Sequence, residues 1–497
     1  MARLGRSRGC RTCRERRIKC DEKTPECSQC ARVGKKCPGA LTRLIVFEST
    51  PVNPKKFQPL RESEAGPSQK PSAPAVSPGT DVVLGSGTLD PFSSMAVPFD
   101  PATNRLFQHF VLHTARCCLP YSPEILGVWS WQEAMTQPAI HFGVLSMAAS
   151  HRFHLLQQES SDNTTAQELH RSLAYRNEIM RMTKESLART APTPSTPTSI
   201  AVMIAYLLCI EGANSNADVI AMHIAGLNNY LQTLGGIDAL DLPSIAFLMG
   251  VDILCAITRG TSPGIPESQK WAAVAMRRPA IRVSCSSPDD SDDIPRGSFE
   301  LLGTRFNTAA WSNLIDRPLR NTIYNACRLI IYYENDEIRP DNEKIINYAD
   351  NGPWMLAKRY LLSLSYDHFG PADFREPLHR SILAYTMTRY CNFGVLPCMN
   401  TISIDLRSSI MARIDFFQTT APDLLFWVLY TGAMAARARK TSPTYWWYCE
   451  SLVEASIKLR LNDWNNTESL LEQFLFIPRA SDRLAEDTWR DVTLLRR

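Results

Sequence analysis

Apolar residues recur at helical spacing over most of the chain beyond about residue 101. Between Asn104 and Cys118 one helix face collects Leu106, Phe107, Phe110, Val111 and Ala115. The same spacing predicts eight further helices: Ala139–Leu156, Ser199–Ile210, Val219–Leu234, Ser244–Thr258, Leu319–Tyr333, Trp354–Ser365, Pro377–Tyr390 and Pro422–Ala436. Strand-like alternation is scarce, so we predict a large all-α domain over residues 101–497.

The pattern is absent before residue 101. Residues 51–100 include nine Pro, seven Ser and four Gly. Such a composition buries too little apolar surface to offset the entropy of ordering. We therefore expect residues 41–100 to form a disordered linker. Within the helical part, Ala191–Pro197 and the acidic segment Ser286–Pro295 are predicted loops.

Charge sets the first 40 residues apart from the rest. The 497-residue chain has a net charge of +4, but residues 1–40 hold twelve Lys or Arg and four Asp or Glu. The remaining residues are mildly acidic. We call residues 1–40 the head and the helical residues 101–497 the body. The excess of basic residues in the head predicts that it binds a polyanionic partner.

Cysteine is concentrated in the same segment, with six of the fifteen cysteines between Cys10 and Cys37. The N-terminus is basic and lacks the apolar core of a secretory signal, which favours a metal site over disulfides. Apolar runs fall short of the ~20 residues that span a bilayer. We expect a soluble intracellular protein without a membrane partner.

The cysteine spacing repeats within the head. Cys10, Cys13 and Cys20 are spaced as Cys27, Cys30 and Cys37 are. Each half offers three thiolates, whereas tetrahedral zinc takes four, so two ions that share ligands use all six. A single zinc ion or an iron–sulfur cluster leaves cysteines without a role. A structural zinc knuckle with no nucleic-acid role is the remaining alternative.

Residues 10–37 resemble the fungal binuclear zinc-cluster DNA-binding domain, including a proline, Pro25, in the loop between the halves. The resemblance implies two zinc ions, both bound by the bridging pair Cys10 and Cys27. One ion is completed by Cys13 and Cys20, the other by Cys30 and Cys37. It also implies that the domain reads a CGG triplet in double-stranded DNA.

The stretch from Arg14 to Lys19 is short enough for one compact helix, and in the resembled family this helix enters the major groove. The family's base-reading position falls on Arg17, with Arg16 beside it. An arginine fork can donate two hydrogen bonds to guanine. The remaining basic residues suit phosphates or, singly, a solvated surface: Arg11, Arg14, Lys19, Arg32, Lys35 and Lys36. Together these residues also resemble a nuclear import signal, so we expect a nuclear protein.

The body resembles the fungal-specific transcription factor domain over about residues 105–480. The resemblance lies in Pro138–Arg152, in Leu207–Asn214 with its acidic residue Glu211, and in the His-x-x-Gly of His223 and Gly226. It implies a regulatory domain that acts on the transcription machinery. We expect Glu211 and His223 to form a buried polar pair between helices.

Dimerisation beside the cluster is not predicted. Apolar residues begin at Leu41, but Pro51, Pro54 and Pro59 break any heptad pattern within two turns. Binding as a monomer and dimerisation through the helical body both stay open.

Catalytic motifs are not evident in the body. His109, His113 and Cys117 form one helix stripe that could hold a metal, but a half-buried amphipathic face explains it better. We therefore predict a fungal transcription regulator of a secondary-metabolite or nutrient-use pathway, and not an enzyme. The alternatives are a zinc-dependent nuclear scaffold and a helical enzyme with a DNA-tethering head.

Overall fold

A computed structural model describes residues 12–13, 16, 18–21, 27–34, 97, 100–115, 123–159, 163–188, 196–275, 299–334, 348–364, 373–390, 396–477 and 483–496. The chain divides into two units, Met1–Val83 and Leu84–Arg497. The expected linker, apart from residues 97 and 100, and the acidic loop at 286–295 lie outside the described residues.

The first unit contains a short helix, α1 (Ser28–Ala31), that begins directly after Cys27. The Cys27 carbonyl accepts hydrogen bonds from the backbone N–H groups of Cys30 and Ala31, at 3.0 and 3.1 Å. Gly34 ends this turn at φ +60°, a left-handed conformation that favours glycine.

The first cysteine repeat has a matching helical turn at Thr12 and Cys13. The backbone N–H of Arg16 donates to the Thr12 carbonyl at 3.2 Å. The helix expected over residues 14–19 does not include Ile18 and Lys19, which are not helical, while Arg14, Glu15 and Arg17 lie outside the described residues.

The second unit is helical, and none of its described residues lies in a β-strand. Its longer elements are α2 (Pro101–His109) with a following π-helix (Phe110–Thr114), α3 (Pro123–Thr136), α4 (Pro138–Glu159), α5 (Asn163–Ala188), α6 (Thr196–Ala213), α7 (Ala217–Thr233), α8 (Leu242–Arg259), α9 (Gln269–Ala275), α10 (Arg305–Thr308), α11 (Arg317–Glu334), α12 (Tyr348–Ser363), α13 (Arg375–Tyr390), α14 (Pro397–Met411), α15 (Ile414–Thr420), α16 (Pro422–Ala436), α17 (Pro443–Lys458), α18 (Trp464–Leu471) and α19 (Leu484–Leu495). Eight of the nine predicted segments each fall on one of these helices to within two residues; the first, Asn104–Cys118, spans α2 and the π-helix, and its last three residues lie outside the described residues.

Local capping explains where the body begins. The Asp100 carboxylate accepts a hydrogen bond from the Thr103 N–H at 2.6 Å, and the Thr103 hydroxyl accepts one from the Asp100 N–H at 2.8 Å. This reciprocal capping box, followed by Pro101 in the first turn, fixes the start of α2.

The core of the body is built on α6, α8 and α16, which are buried on nearly all sides. These helices read as continuous apolar runs because they have no solvent face. By length and composition α8 could cross a membrane, but 83% of it is buried inside the helical body, as in a core helix. Close packing of α16 on α17 requires Gly432, where a Cβ would lie 2.3 Å from the Tyr448 ring.

The longest helix, α5, was not predicted. Its buried side includes Thr165, Glu168, Ser172 and Thr183, so hydrophobic periodicity does not reveal it. The Ser172 hydroxyl donates to the Ser146 carbonyl of α4 at 3.1 Å, and the Ser146 hydroxyl donates to the Ser172 carbonyl at 2.9 Å. Small polar side chains with partners across the interface thus replace an apolar stripe.

Candidate metal centre and nucleic-acid interface

Four of the six predicted zinc ligands lie together in the first unit. Cys13, Cys27 and Cys30 are buried and Cys20 is half-buried. The Cys13 sulfur lies 3.6 Å from that of Cys27 and 3.9 Å from that of Cys30. Zinc with Zn–S bonds of about 2.3 Å and tetrahedral angles separates its sulfurs by about 3.8 Å. The sulfur spacing therefore fits a zinc-thiolate centre.

A second property of this cluster favours a cation at its centre. The ligand atoms of Cys13, Cys20 and Cys27 all lie within 4.8 Å of one another. Burial, together with hydrogen bonds from the neighbouring thiols, raises the pKa of the Cys27 thiol. A coordinating metal reverses this preference because it deprotonates a bound thiol. Every cysteine in the described ranges is a free thiol, in keeping with metal ligation rather than disulfides.

Two predicted ligands, Cys10 and Cys37, lie outside the described residues. The bridging role of Cys10 and Cys27 therefore stays a prediction. Cys27 holds the structural position that the role needs: it is buried, it caps α1, and its sulfur is close to that of Cys13 in the other half.

The described cysteines of the body are of a different kind. Cys209 and Cys449 are buried in the apolar core. Burial raises the pKa of Cys209 to about 12 and that of Cys449 to about 11. Both thiols stay protonated at neutral pH and serve as small core residues.

Three of the predicted DNA contacts, Arg16, Lys19 and Arg32, are described, and all three are exposed. Arg16 also donates from its guanidinium to the Gln29 carbonyl at 3.4 Å, which connects the two cysteine repeats. The other predicted contacts lie outside the described residues: Arg11, Arg14, Arg17, Lys35 and Lys36.

Sequence reasoning missed Asp21, which directly follows Cys20. Its carboxylate accepts a hydrogen bond from the Ser28 N–H at 3.0 Å, at the first residue of α1. A carboxylate at this end satisfies an otherwise unpaired donor of the helix. Asp21 therefore helps to hold the second repeat against the first.

In the body, the acidic residue of the family signature has a different partner from the one predicted. Glu211 is fully buried at the end of α6, where it forms an ion pair with Arg176 of α5 and accepts a hydrogen bond from the Asn216 amide. His223 is half-buried; burial lowers its pKa, and the charge of Glu211 opposes that shift. Glu211 thus joins α5 to the start of α7. Arg176 was missed because α5 was not predicted.

Two family models match the chain. Residues 8–43 match the fungal Zn(2)-Cys(6) binuclear cluster domain, and residues 105–304 match the fungal specific transcription factor domain. The first is a domain that binds two zinc ions, as the cysteine arithmetic predicts. The combination of a zinc-cluster module with a large helical domain is confirmed.

Two relatives are similar over parts of the chain. The aspercryptin biosynthesis cluster-specific transcription regulator atnN of Emericella nidulans is 26% identical over 232 residues, which are 44% of this chain and 34% of the relative. The transcription activator AMTR1 of Alternaria alternata is 55% identical over 38 residues, 7% of this chain and 5% of the relative.

The chain thus spans about a third of the length of the first relative and a twentieth of the second. No solved structure is significantly similar to it. The cysteine centre, the helical body and the order of the two matched domains agree with one another. The chain therefore combines a fungal Zn(2)-Cys(6) binuclear cluster domain with a fungal specific transcription factor domain.

Proposed function

We propose that this protein regulates transcription in the nucleus of a fungus by binding double-stranded DNA through its zinc cluster. The observation that carries the proposal is the cluster of buried thiols with zinc-like spacing, surrounded by the exposed Arg16, Lys19 and Arg32. Both relatives are named as transcription regulators, and the body matches a transcription factor domain. The helical body would then convey a regulatory signal to the transcription machinery.

Zinc supplies the folding energy of so small a head, because structural zinc sites contribute directly to stability. The protein residues then position the DNA. Lys19 and Arg32 are exposed cations that suit phosphates, and phosphate contacts set the register of a protein on a duplex. Arg16 is partly engaged with Gln29, which leaves Arg17 as the proposed reader of guanine. A guanidinium fork on guanine O6 and N7 makes a CGG triplet the proposed target.

The proposed reading is tested by titrating the full chain against a CGG duplex and a scrambled duplex at one salt concentration. Arg17→Ala should weaken binding to the CGG duplex by about 1–3 kcal/mol and binding to the scrambled duplex much less. Arg17→Lys should retain part of the preference, because lysine donates without the planar fork. The matched control is Lys184→Ala, which removes an exposed charge from α5.

Zinc content distinguishes a loss of base recognition from a loss of folding. Residue 17 is not a zinc ligand, so both Arg17 variants should keep two zinc ions. If Arg17→Ala weakens both duplexes by the same factor, Arg17 is a phosphate contact. If the parent chain does not prefer CGG at all, the zinc-dependent scaffold becomes the better account.

For the pathway, we propose control of a secondary-metabolite biosynthesis cluster. The support is the relative from Emericella nidulans, which is named as specific to such a cluster. A genome-wide map of bound sites, compared with transcript levels with and without the protein, tests this. Sites confined to nutrient-use genes would contradict the proposal.

A further inference from the structure

A groove with a volume of about 590 Å³ lies on the body, lined by α15, α16, α17 and the end of α14. One side of it is a single face of α17, because the lining residues of that helix recur at helical spacing. They are Trp447, Glu450, Ser451, Glu454, Ala455 and Lys458. The volume is within the range of about 300–1,000 Å³ that is usual for binding sites.

The other side of the groove is apolar. Leu425 and Leu429, one turn apart on α16, are buried at its base, and Ile414 of α15 is half-buried. Met411, the last residue of α14, lines the rim and leaves 52% of its surface exposed. Methionine adapts its shape to a partner and is common at protein-binding surfaces. An apolar base with an exposed apolar rim and polar edges is typical of an interaction site.

The α17 side carries uncompensated negative charge. Glu450 and Glu454 are exposed one turn apart, and neither forms an ion pair with another residue in the part of the chain that the structure describes. The cation of the groove, Lys458, donates a hydrogen bond from Nζ to the Gln418 carbonyl of α15. The two carboxylates are therefore available to a partner that brings positive charge.

We propose that this groove binds an amphipathic helix of a partner protein, with bulky apolar side chains on one face and lysine or arginine beside them. From Trp447 to Lys458 the α17 side is about 16 Å long at 1.5 Å per residue, which is the length of three helical turns. A helix of three turns presents apolar anchors at i, i+3 or i+4, and i+7, the usual pattern of a helix bound in a groove. Its basic residues would lie beside Glu450 and Glu454. Docking in this groove does not depend on DNA binding by the head.

The walls of the groove are held in place before a partner arrives. The guanidinium carbon of Arg407 lies 5.0 Å from the ring centre of Trp447, in a cation–π contact. The neighbouring Tyr448 is buried, and its hydroxyl donates to the Ser403 carbonyl of α14 at 2.7 Å. A preformed site lowers the entropic cost of binding.

A second copy of this chain fits the groove less well than a basic helix does. Most pairs of identical chains form twofold contacts, in which the same patch faces itself. Two concave surfaces with Glu450 and Glu454 at their edges would then face each other and leave the apolar base unfilled.

The test measures fluorescence anisotropy of a labelled peptide with the zinc-loaded full chain. The peptide has about 14 residues, with leucine on one helical face and lysine elsewhere. It should bind roughly 10-fold or more tightly than a scrambled peptide of the same composition, or one with glutamate in place of lysine. Met411→Ala should weaken binding of the lysine peptide roughly 5-fold, because it removes an apolar contact at the rim.

Charge reversal distinguishes a specific contact from general attraction. Glu450→Lys combined with Glu454→Lys should make the glutamate peptide the tighter ligand. The matched control, Glu267→Lys combined with Glu300→Lys, changes the net charge equally at two exposed positions outside the groove and should keep the original preference. Equal binding of the ordered and scrambled peptides, or equal effects of the two double variants, would overturn the proposal. So would a dimer of the chain that Met411→Ala dissociates, since a second copy would then occupy the groove.

Discussion

A buried ion pair inside the body allows a prediction with a definite magnitude. Asp252 of α8 is fully buried, and its carboxylate forms an ion pair with Arg359 of α12. It also accepts hydrogen bonds from the N–H groups of Gly264 at 2.8 Å and Ile265 at 3.1 Å. A second guanidinium nitrogen of Arg359 donates to the Ile265 carbonyl at 2.7 Å. The ion pair and its hydrogen bonds thus fix the segment after α8 to both α8 and α12.

Arg359→Met removes the cation but leaves the buried carboxylate. The free energy of unfolding should fall by about 3–5 kcal/mol, the usual effect of removing one partner of a buried pair. The double variant Asp252→Asn, Arg359→Met removes both charges and should recover a large part of that loss, because a neutral replacement of a buried pair is often tolerated. Arg181→Met, which breaks two exposed ion pairs on α5, should cause no measurable loss of unfolding free energy.

The loss of unfolding free energy in Arg359→Met should depend on pH in a definite direction. Burial raises the pKa of Asp252, and Arg359 opposes that shift, so removing Arg359 raises the pKa further. A carboxyl group whose pKa is raised by folding destabilises the folded state as pH rises through that pKa. Arg359→Met should therefore lose more unfolding free energy, relative to the parent chain, at neutral pH than in mild acid. Urea unfolding, followed by tryptophan fluorescence at both pH values, measures it. A deficit that is independent of pH, or a double variant as unstable as the single one, would refute the reasoning.

Three further predictions concern the zinc centre, the DNA contacts and the core. Cys27→Ala should lose both cluster ions and Cys37→Ala should retain more zinc, whereas Cys449→Ala, a core cysteine, should keep two; equal zinc contents for the first two variants would contradict bridging by Cys27. Lys36→Ala should weaken all duplexes equally and flatten the slope of log affinity against log salt by about 0.9; a slope identical to that of the parent and of Lys184→Ala would place Lys36 away from phosphate. Gly432→Ala should lower the free energy of unfolding by about 1–3 kcal/mol, because its Cβ meets the buried Tyr448 ring, while Gly226→Ala, with open space around it, should not; chemical denaturation of both variants checks this.

Hydrophobic spacing predicted nine helical segments of the body but missed α3, α14, α17 and α19, although each of them buries apolar residues. It failed for α5, whose buried side is lined by serine, threonine and glutamate. Ser172 and Glu168 find partners on α4, in Ser146 and Arg152, so only tertiary structure identifies these side chains as interior. For the same reason Arg176 could not be assigned to Glu211 in advance.

The candidate sites, too, could be predicted from the sequence only in part. The zinc ligands could be predicted because six cysteines at repeated spacing leave few other interpretations. The non-helical conformation of Ile18 and Lys19 could not be predicted, because basic residues carry no helical periodicity. The surroundings of the histidine stripe could not be predicted either, because His109 meets His151 of α4, at 3.1 Å between Nε2 and Nδ1, only through tertiary packing.

The most direct test of the proposed function is a binding competition with the zinc-loaded full chain. A CGG duplex competes with a scrambled duplex of equal length at one salt concentration, before and after removal of zinc by a chelator. The zinc-loaded chain should prefer the CGG duplex, and chelation should abolish the preference because the head then unfolds. Equal affinity for both duplexes, or a preference that persists without zinc, would contradict the account.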